Sequence, residues 1–261
     1  MRLLLALLAS LLLNNLPAPA QSTPDMTGIA YERRQGARLP SKSAFTDADG
    51  RDVGVGELFN RAPLVLVLGY FSCEKLCAVA RPALLRAARK AGLTAGADYV
   101  FVAVSIDPAE TADAARKARD IDFAAAAPMG TADGFHYLTG APDDIRALAE
   151  SVGYRYRESA RPDAFSHPIG AVVATPSGIV SGYLSAIGTS PEEMSEAIRT
   201  AAAESVNLAR ASPAFLLCFD FDSTTGRYTF AIVKFLRLAA VVMMLALAAF
   251  IFREIRKGAR A

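Results

Sequence analysis

A layered α/β domain is what the middle of this sequence predicts, on three observations. Two continuous apolar runs, Leu64–Gly69 and Tyr99–Ile106, have the length and composition of strands buried on both faces. Each is followed by a helix-like stretch, Ala78–Ala91 and Ala109–Arg119. A closing pair of strands, Ile169–Ala174 and Ile179–Leu184, flanks the turn Thr175-Pro176-Ser177-Gly178 and leads into a long helix, Pro191–Leu208. Alternating strands and helices that end in a hairpin and a helix give a central mixed sheet flanked by helices.

Taken in order, the chain opens on a secretory signal over residues 1–20. Arg2 supplies the charge, Leu3–Leu13 the apolar core and Ala18-Pro19-Ala20 the cleavage site. Residues 21–40 are polar with scattered proline and glycine, and read as an extended lead-in. The folded domain covers residues 41–210, an ordinary size for one unit. Within it Ser43–Thr46 and Arg51–Val53 are short strands about Asp47-Ala48-Asp49-Gly50. Gly92 stops the first helix, and Asp107-Pro108 closes the second long strand. Pro142–Val152 is a helix with Asp143 and Asp144 in its first turn, where the dipole favours them. Ser190 and Glu193 form a capping box at the start of the last helix. Residues 211–228 are a membrane-proximal linker, residues 229–252 a transmembrane helix and residues 253–261 a basic tail. Leu238–Phe252 carries no charge, and Arg253, Arg256, Lys257 and Arg260 follow it, as on the cytoplasmic side of a span. The expected topology is a single pass in a bacterial cytoplasmic membrane with the domain in the periplasm. The net charge of +2 owes much to that tail, so composition excludes nucleic acid as a partner.

Chemistry concentrates in Tyr70-Phe71-Ser72-Cys73-Glu74-Lys75-Leu76-Cys77, between the first buried strand and the first helix. With both cysteines in the first helical turn, spacing of four residues stacks them on one face, so the thiols can share a metal ion or pair in a disulfide. Helix N-terminal amides favour the thiolate, and thiolates are soft ligands that select Cu(I). A third ligand is wanted, and the chain has two histidines. His136, between Phe135 and Tyr137 ahead of a helix, reads as packing. His167, in Phe165-Ser166-His167-Pro168, lies in a loop feeding a strand; in a thioredoxin-type layout that loop sits beside the cysteine helix, which makes His167 the candidate ligand. Cys218 stands among apolar residues and reads as a small buried hydrophobe, with an exposed thiol near the membrane as the alternative.

Leu64–Cys77 with Pro82, the block Val104-Ser105-Ile106-Asp107-Pro108-Ala109-Glu110-Thr111, the block Phe135–Gly140 and the histidine before the hairpin together resemble the Sco/SenC family over about Leu39–Ala203. That resemblance implies a thioredoxin-like fold and copper delivery to the binuclear copper A centre of cytochrome c oxidase. The family's copper ligands, two cysteines and a later histidine, fall on Cys73, Cys77 and His167. The partners implied are the copper-bearing oxidase subunit and a periplasmic copper donor or thiol reductant. The chain departs from the family pattern at Glu74 and Ala78, where prolines usually stand, and at Ser166, where an aspartate usually precedes the histidine. Asp163 is the nearby acidic residue. The family's anchor is usually N-terminal, whereas the one expected here is C-terminal. No catalytic residue is expected of a metallochaperone. The alternatives are an envelope thiol–disulfide oxidoreductase and a copper or redox sensor, both using the same thiols; the P-x-x-x-T-x-x-C pattern of a peroxiredoxin is absent.

Overall fold

The computed structural model describes residues 29–59, 61–73, 76–158 and 165–206, together with Met243. The strands are β1 Ala30–Tyr31, β2 Ala44–Asp47, β3 Asp52–Gly54, β4 Leu64–Gly69, β5 Val100–Ser105, β6 Phe135–Gly140, β7 Tyr154–Arg155, β8 Arg157–Glu158, β9 Phe165–Ser166, β10 Ala171–Ala174 and β11 Val180–Leu184. The helices are α1 Leu76–Lys90, α2 Ala112–Ala126, α3 Pro142–Ser151 and α4 Pro191–Ala202.

Seven strands make the central sheet in the order β11-β10-β4-β5-β6-β2-β3. Strands β4, β5 and β6 run parallel, while β10, β11, β2 and β3 pair antiparallel, so the sheet is mixed as expected. Alternation along β4 explains its unbroken apolar sequence. Val65 and Val67 face a core with α1, α2 and α4, through Leu84, Leu85, Ala115, Met194 and Ile198. Leu64, Leu66 and Leu68 face a second core with α3, through Ile145 and Leu148. Each such fully buried aliphatic contributes about 1.5–3 kcal/mol of transfer free energy.

Several boundaries differ from the sequence expectation. Phe135–Gly140 is a central parallel strand rather than a packing segment ahead of a helix, and His136 sits within it opposite Val102. Helix α2 starts at Ala112 rather than Ala109, because Asp107-Pro108-Ala109-Glu110 first makes a turn: Asp107 Oδ1 accepts from the Ala109 N–H at 2.8 Å and the Asp107 carbonyl accepts from Glu110 at 3.2 Å. Helix α4 ends at Ala202, before Leu208. Its capping box is formed, with the Glu193 N–H donating to Ser190 Oγ at 3.1 Å and the Ser190 N–H donating to Glu193 Oε2 at 2.9 Å. The lead-in contains β1, which pairs with β7 beyond α3. Gly153 permits this approach: its φ is +65°, and a Cβ there would meet the Glu32 carbonyl at 1.7 Å.

No helix of the described residues is long and apolar enough to cross a membrane. The expected signal segment, linker, transmembrane helix and basic tail, with Cys218 among them, lie outside the described residues, as does Asp163.

Candidate metal centre

Cys73 and His167 both lie by the C-terminal end of β4, one in the loop that leaves the strand and the other against Gly69. The chain leaves Gly69, passes Tyr70, Phe71 and Ser72, and reaches Cys73, which is buried at 7% exposure although Ser72 beside it is exposed. Helix α1 then begins at Leu76 and has Cys77 in its first turn. Cys73 therefore precedes the helix, and the two cysteines are not stacked on one continuous helical face. The Cys77 side chain is outside what the structure describes; among the described residues no three His, Cys, Asp or Glu side chains gather at metal-ligand distance.

His167 approaches from the other side. Strand β10 pairs antiparallel with β4, so the loop feeding β10 must end against the start of the cysteine loop. A Cβ on Gly69 would lie 3.6 Å from the imidazole Cε1, and the Tyr70 ring meets the imidazole edge-on at 5.6 Å. The ring of Tyr154, whose hydroxyl donates to the Leu68 carbonyl at 3.0 Å, lies 6.2 Å from the imidazole. His167 Nδ1 is 2.9 Å from the Pro168 carbonyl. A carbonyl only accepts, so Nδ1 is the donor in this bond. A backbone carbonyl thus does for this imidazole what an outer carboxylate does for many metal-binding histidines, fixing tautomer and ring orientation. The sequence alone gave no sign of this substitute for the missing aspartate.

His136 is held apart from this edge. Its Nε2 lies 3.1 Å from the Asp133 carbonyl, and burial lowers its pKa, as befits a neutral packed side chain.

Two further side chains brace the cysteine loop. Glu110, in the turn after β5, accepts from the Phe71 N–H at 2.7 Å, the Ser72 N–H at 2.6 Å and the Ser105 hydroxyl at 2.6 Å. Arg81, four residues after Cys77, is 4% exposed and donates through Nε to Asp122 Oδ2 at 2.7 Å, which also accepts from Tyr137 at 2.9 Å. The guanidinium lies 5.5 Å from the Phe71 ring centroid. Burial pushes the Asp122 carboxyl up, against the pull of Arg81 and of the Tyr137 hydrogen bond, and raises Tyr137 well above the phenol range. Gly69, Phe71, Arg81, His167, Ile169 and Gly170 line one narrow cleft behind the loop. Sequence reading missed both residues. The detectable signal was a cation on the apolar face of α1 and, for Glu110, a carboxylate directly after the Asp-Pro turn that ends a buried strand.

The arrangement brings soft-donor residue types to one edge, a cysteine on one loop and a histidine on the neighbouring one, and the Glu110 carboxylate bracing the loop is already engaged by three donors. Similar architecture occurs in solved proteins. A putative electron transfer protein from Aquifex aeolicus VF5 is 19% identical, with 69% of this chain covering 100% of that one at a TM-score of 0.59. Arabidopsis thaliana ScoI, solved with copper bound, is 18% identical over 66% of this chain and 99% of its own, at 0.51. A SCO1/SenC family lipoprotein from Bacillus anthracis str. Ames is 18% identical over 65% and 98%, also at 0.51. At these identities the likeness establishes the shared fold. No curated protein shows significant sequence similarity to the chain. The family model for SCO1/SenC matches residues 32–203, spanning the sheet, the cysteine loop and His167, and the chain belongs to the SCO1/SenC family.

Proposed function

We propose that this protein binds one copper ion as cargo through Cys73, Cys77 and His167 and delivers it during assembly of a respiratory cytochrome c oxidase. The observation that carries the reading is the meeting of the cysteine loop with His167 at the edge of β4, in a member of the SCO1/SenC family. A related fold, that of Arabidopsis thaliana ScoI, has been solved with copper bound. Two thiolates and a neutral imidazole suit copper in its lower oxidation state. Its partners are the copper-bearing oxidase subunit that receives the ion and a periplasmic copper donor or thiol reductant that acts on this protein. The domain stands on the periplasmic side of the cytoplasmic membrane, exported by residues 1–20 and held by residues 229–252.

A dedicated thiol–disulfide oxidoreductase fits less well. Exchange needs an accessible attacking thiolate, and Cys73, the one of the two cysteines whose exposure the structure describes, is 7% exposed. The reading makes the thiols and His167 jointly necessary, which an oxidoreductase does not require. The test is copper content and visible spectrum of the reduced full-length chain beside three variants. Cys73→Ser and Cys77→Ser should each lose stoichiometric copper, because one thiolate and one imidazole leave an exchangeable ion. His167→Ala should weaken binding and leave the fold intact. One tight copper per chain in the Cys73→Ser/Cys77→Ser protein would overturn the assignment.

A further inference from the structure

We infer that Glu110 is a positioning residue for the metal site, a clasp that fixes the backbone into which Cys73 is set; the inference rests on the copper reading above. Its carboxylate receives three donors on two oxygens. Oε2 takes the Phe71 N–H and the Ser105 hydroxyl, and Oε1 takes the Ser72 N–H, all between 2.6 and 2.7 Å. Bonds of this length to a carboxylate are charge-assisted and about twice as strong as neutral ones. With its oxygens committed in this way, Glu110 is not an ion ligand, and a hard carboxylate would in any case be the wrong donor for Cu(I). Its effect must pass through the loop.

Phe71 rests its ring on Arg81 and lies 6.0 Å from Tyr137, but Ser72, the residue directly before Cys73, is exposed. The Ser72 N–H bond to Glu110 fixes the backbone one residue before the cysteine. The placement across the sheet makes the same point. Strand β5 flanks β4 on one side and β10 on the other, so Glu110 braces the cysteine loop from the β5 side while His167 waits on the β10 side. Releasing the clasp lets Cys73 move relative to His167, and a site that must be preorganised to hold its ion loses affinity when its supporting contacts go.

Two measurements on the full-length chain decide the matter. In the Cys77→Ser/Cys218→Ser background Cys73 is the sole thiol, and iodoacetamide reaches it only when the loop opens. Adding Glu110→Ala should speed alkylation at least tenfold while the melting temperature falls by only a few degrees. Glu110→Gln, which keeps the shape and one accepting oxygen, should fall between. In the protein with all its cysteines, Glu110→Ala should weaken Cu(I) binding at least tenfold in competition with bicinchoninate. An unchanged alkylation rate overturns the clasp, and faster alkylation with unchanged Cu(I) affinity overturns its role in the metal site. Should Glu110→Ala not fold, Glu110→Gln carries both comparisons. If the wild-type chain itself takes no copper, the copper reading falls, and the alkylation rates alone decide whether Glu110 holds the loop.

Discussion

Arg81 takes a full charge into a helix face otherwise made of alanine and leucine, and the reason it persists is Asp122. The pair is almost wholly buried, with side-chain exposures of 5% and 0%, and among the described residues Asp122 Oδ1 has no hydrogen-bond partner. Such a pair is not a strong net stabiliser, since desolvation offsets most of the attraction, but breaking it from one side is costly. Arg81→Ala should therefore lower stability by about 3–5 kcal/mol, because it strands a buried carboxylate. Arg81→Met/Asp122→Leu should cost clearly less than either single change, read from urea midpoints at constant slope. Additive losses would show that the two side chains act independently. At this scale the sequence discloses residues whose chemistry is in their type: Cys73, Cys77 and His167 stand out as soft donors. It does not disclose Arg81 or Glu110, whose roles come from partners 41 and 39 residues away. Only the fold brings those partners together.

Elements were legible where their pattern was unbroken. Strand β4 is apolar throughout and β5 is apolar up to Ser105, so both are readable, whereas β6 carries His136 and Thr139 and has the character of a strand only because β5 and β2 flank it. The start of α1 matters most for chemistry. A helix through both cysteines would hold them a full turn apart, near the upper end of the ~4.4–6.8 Å Cα separation a disulfide tolerates. With Cys73 ahead of α1, pairing it with Cys77 does not require unwinding the packed part of the helix, whose Leu84 and Leu85 are at 1% exposure. Copper-free protein should accordingly form a reversible Cys73–Cys77 disulfide in air, and that form should refuse Cu(I) until reduced. Thiol trapping followed by peptide mapping measures it; cysteines that stay reduced in air, or an oxidised form that still takes Cu(I), would defeat the idea.

For the whole molecule, the two cores on either face of the sheet fix where the loops emerge, and the proposed presentation of the domain is argued from the composition of residues 1–20 and 229–261. The fold class followed from alternation of strand and helix. The topology rests on residues outside those the structure describes, and is argued from charge and apolar length. In the proposed topology residues 1–20 would export the chain, and the apolar segment from Thr229 to Phe252 would then halt in the bilayer with Arg253, Arg256 and Lys257 retained inside. Tethering suits delivery to a membrane-bound oxidase, because confinement raises the effective concentration of donor near client. Lys234 and Arg237 set the physical limit of this arrangement. When their ammonium and guanidinium groups snorkel to the outer interface, the span reaches the ~20 residues a helix needs; otherwise only Leu238–Phe252 remains, which is too short. Alkaline phosphatase, which needs an oxidising compartment to form its disulfides, reports the side directly. A fusion after Ser212 should be active and a fusion after Ala261 inactive, with the protein resisting carbonate extraction. Activity at Ala261, or release by carbonate, would replace the anchored donor with one that diffuses through the periplasm, and the effective-concentration argument would go with it.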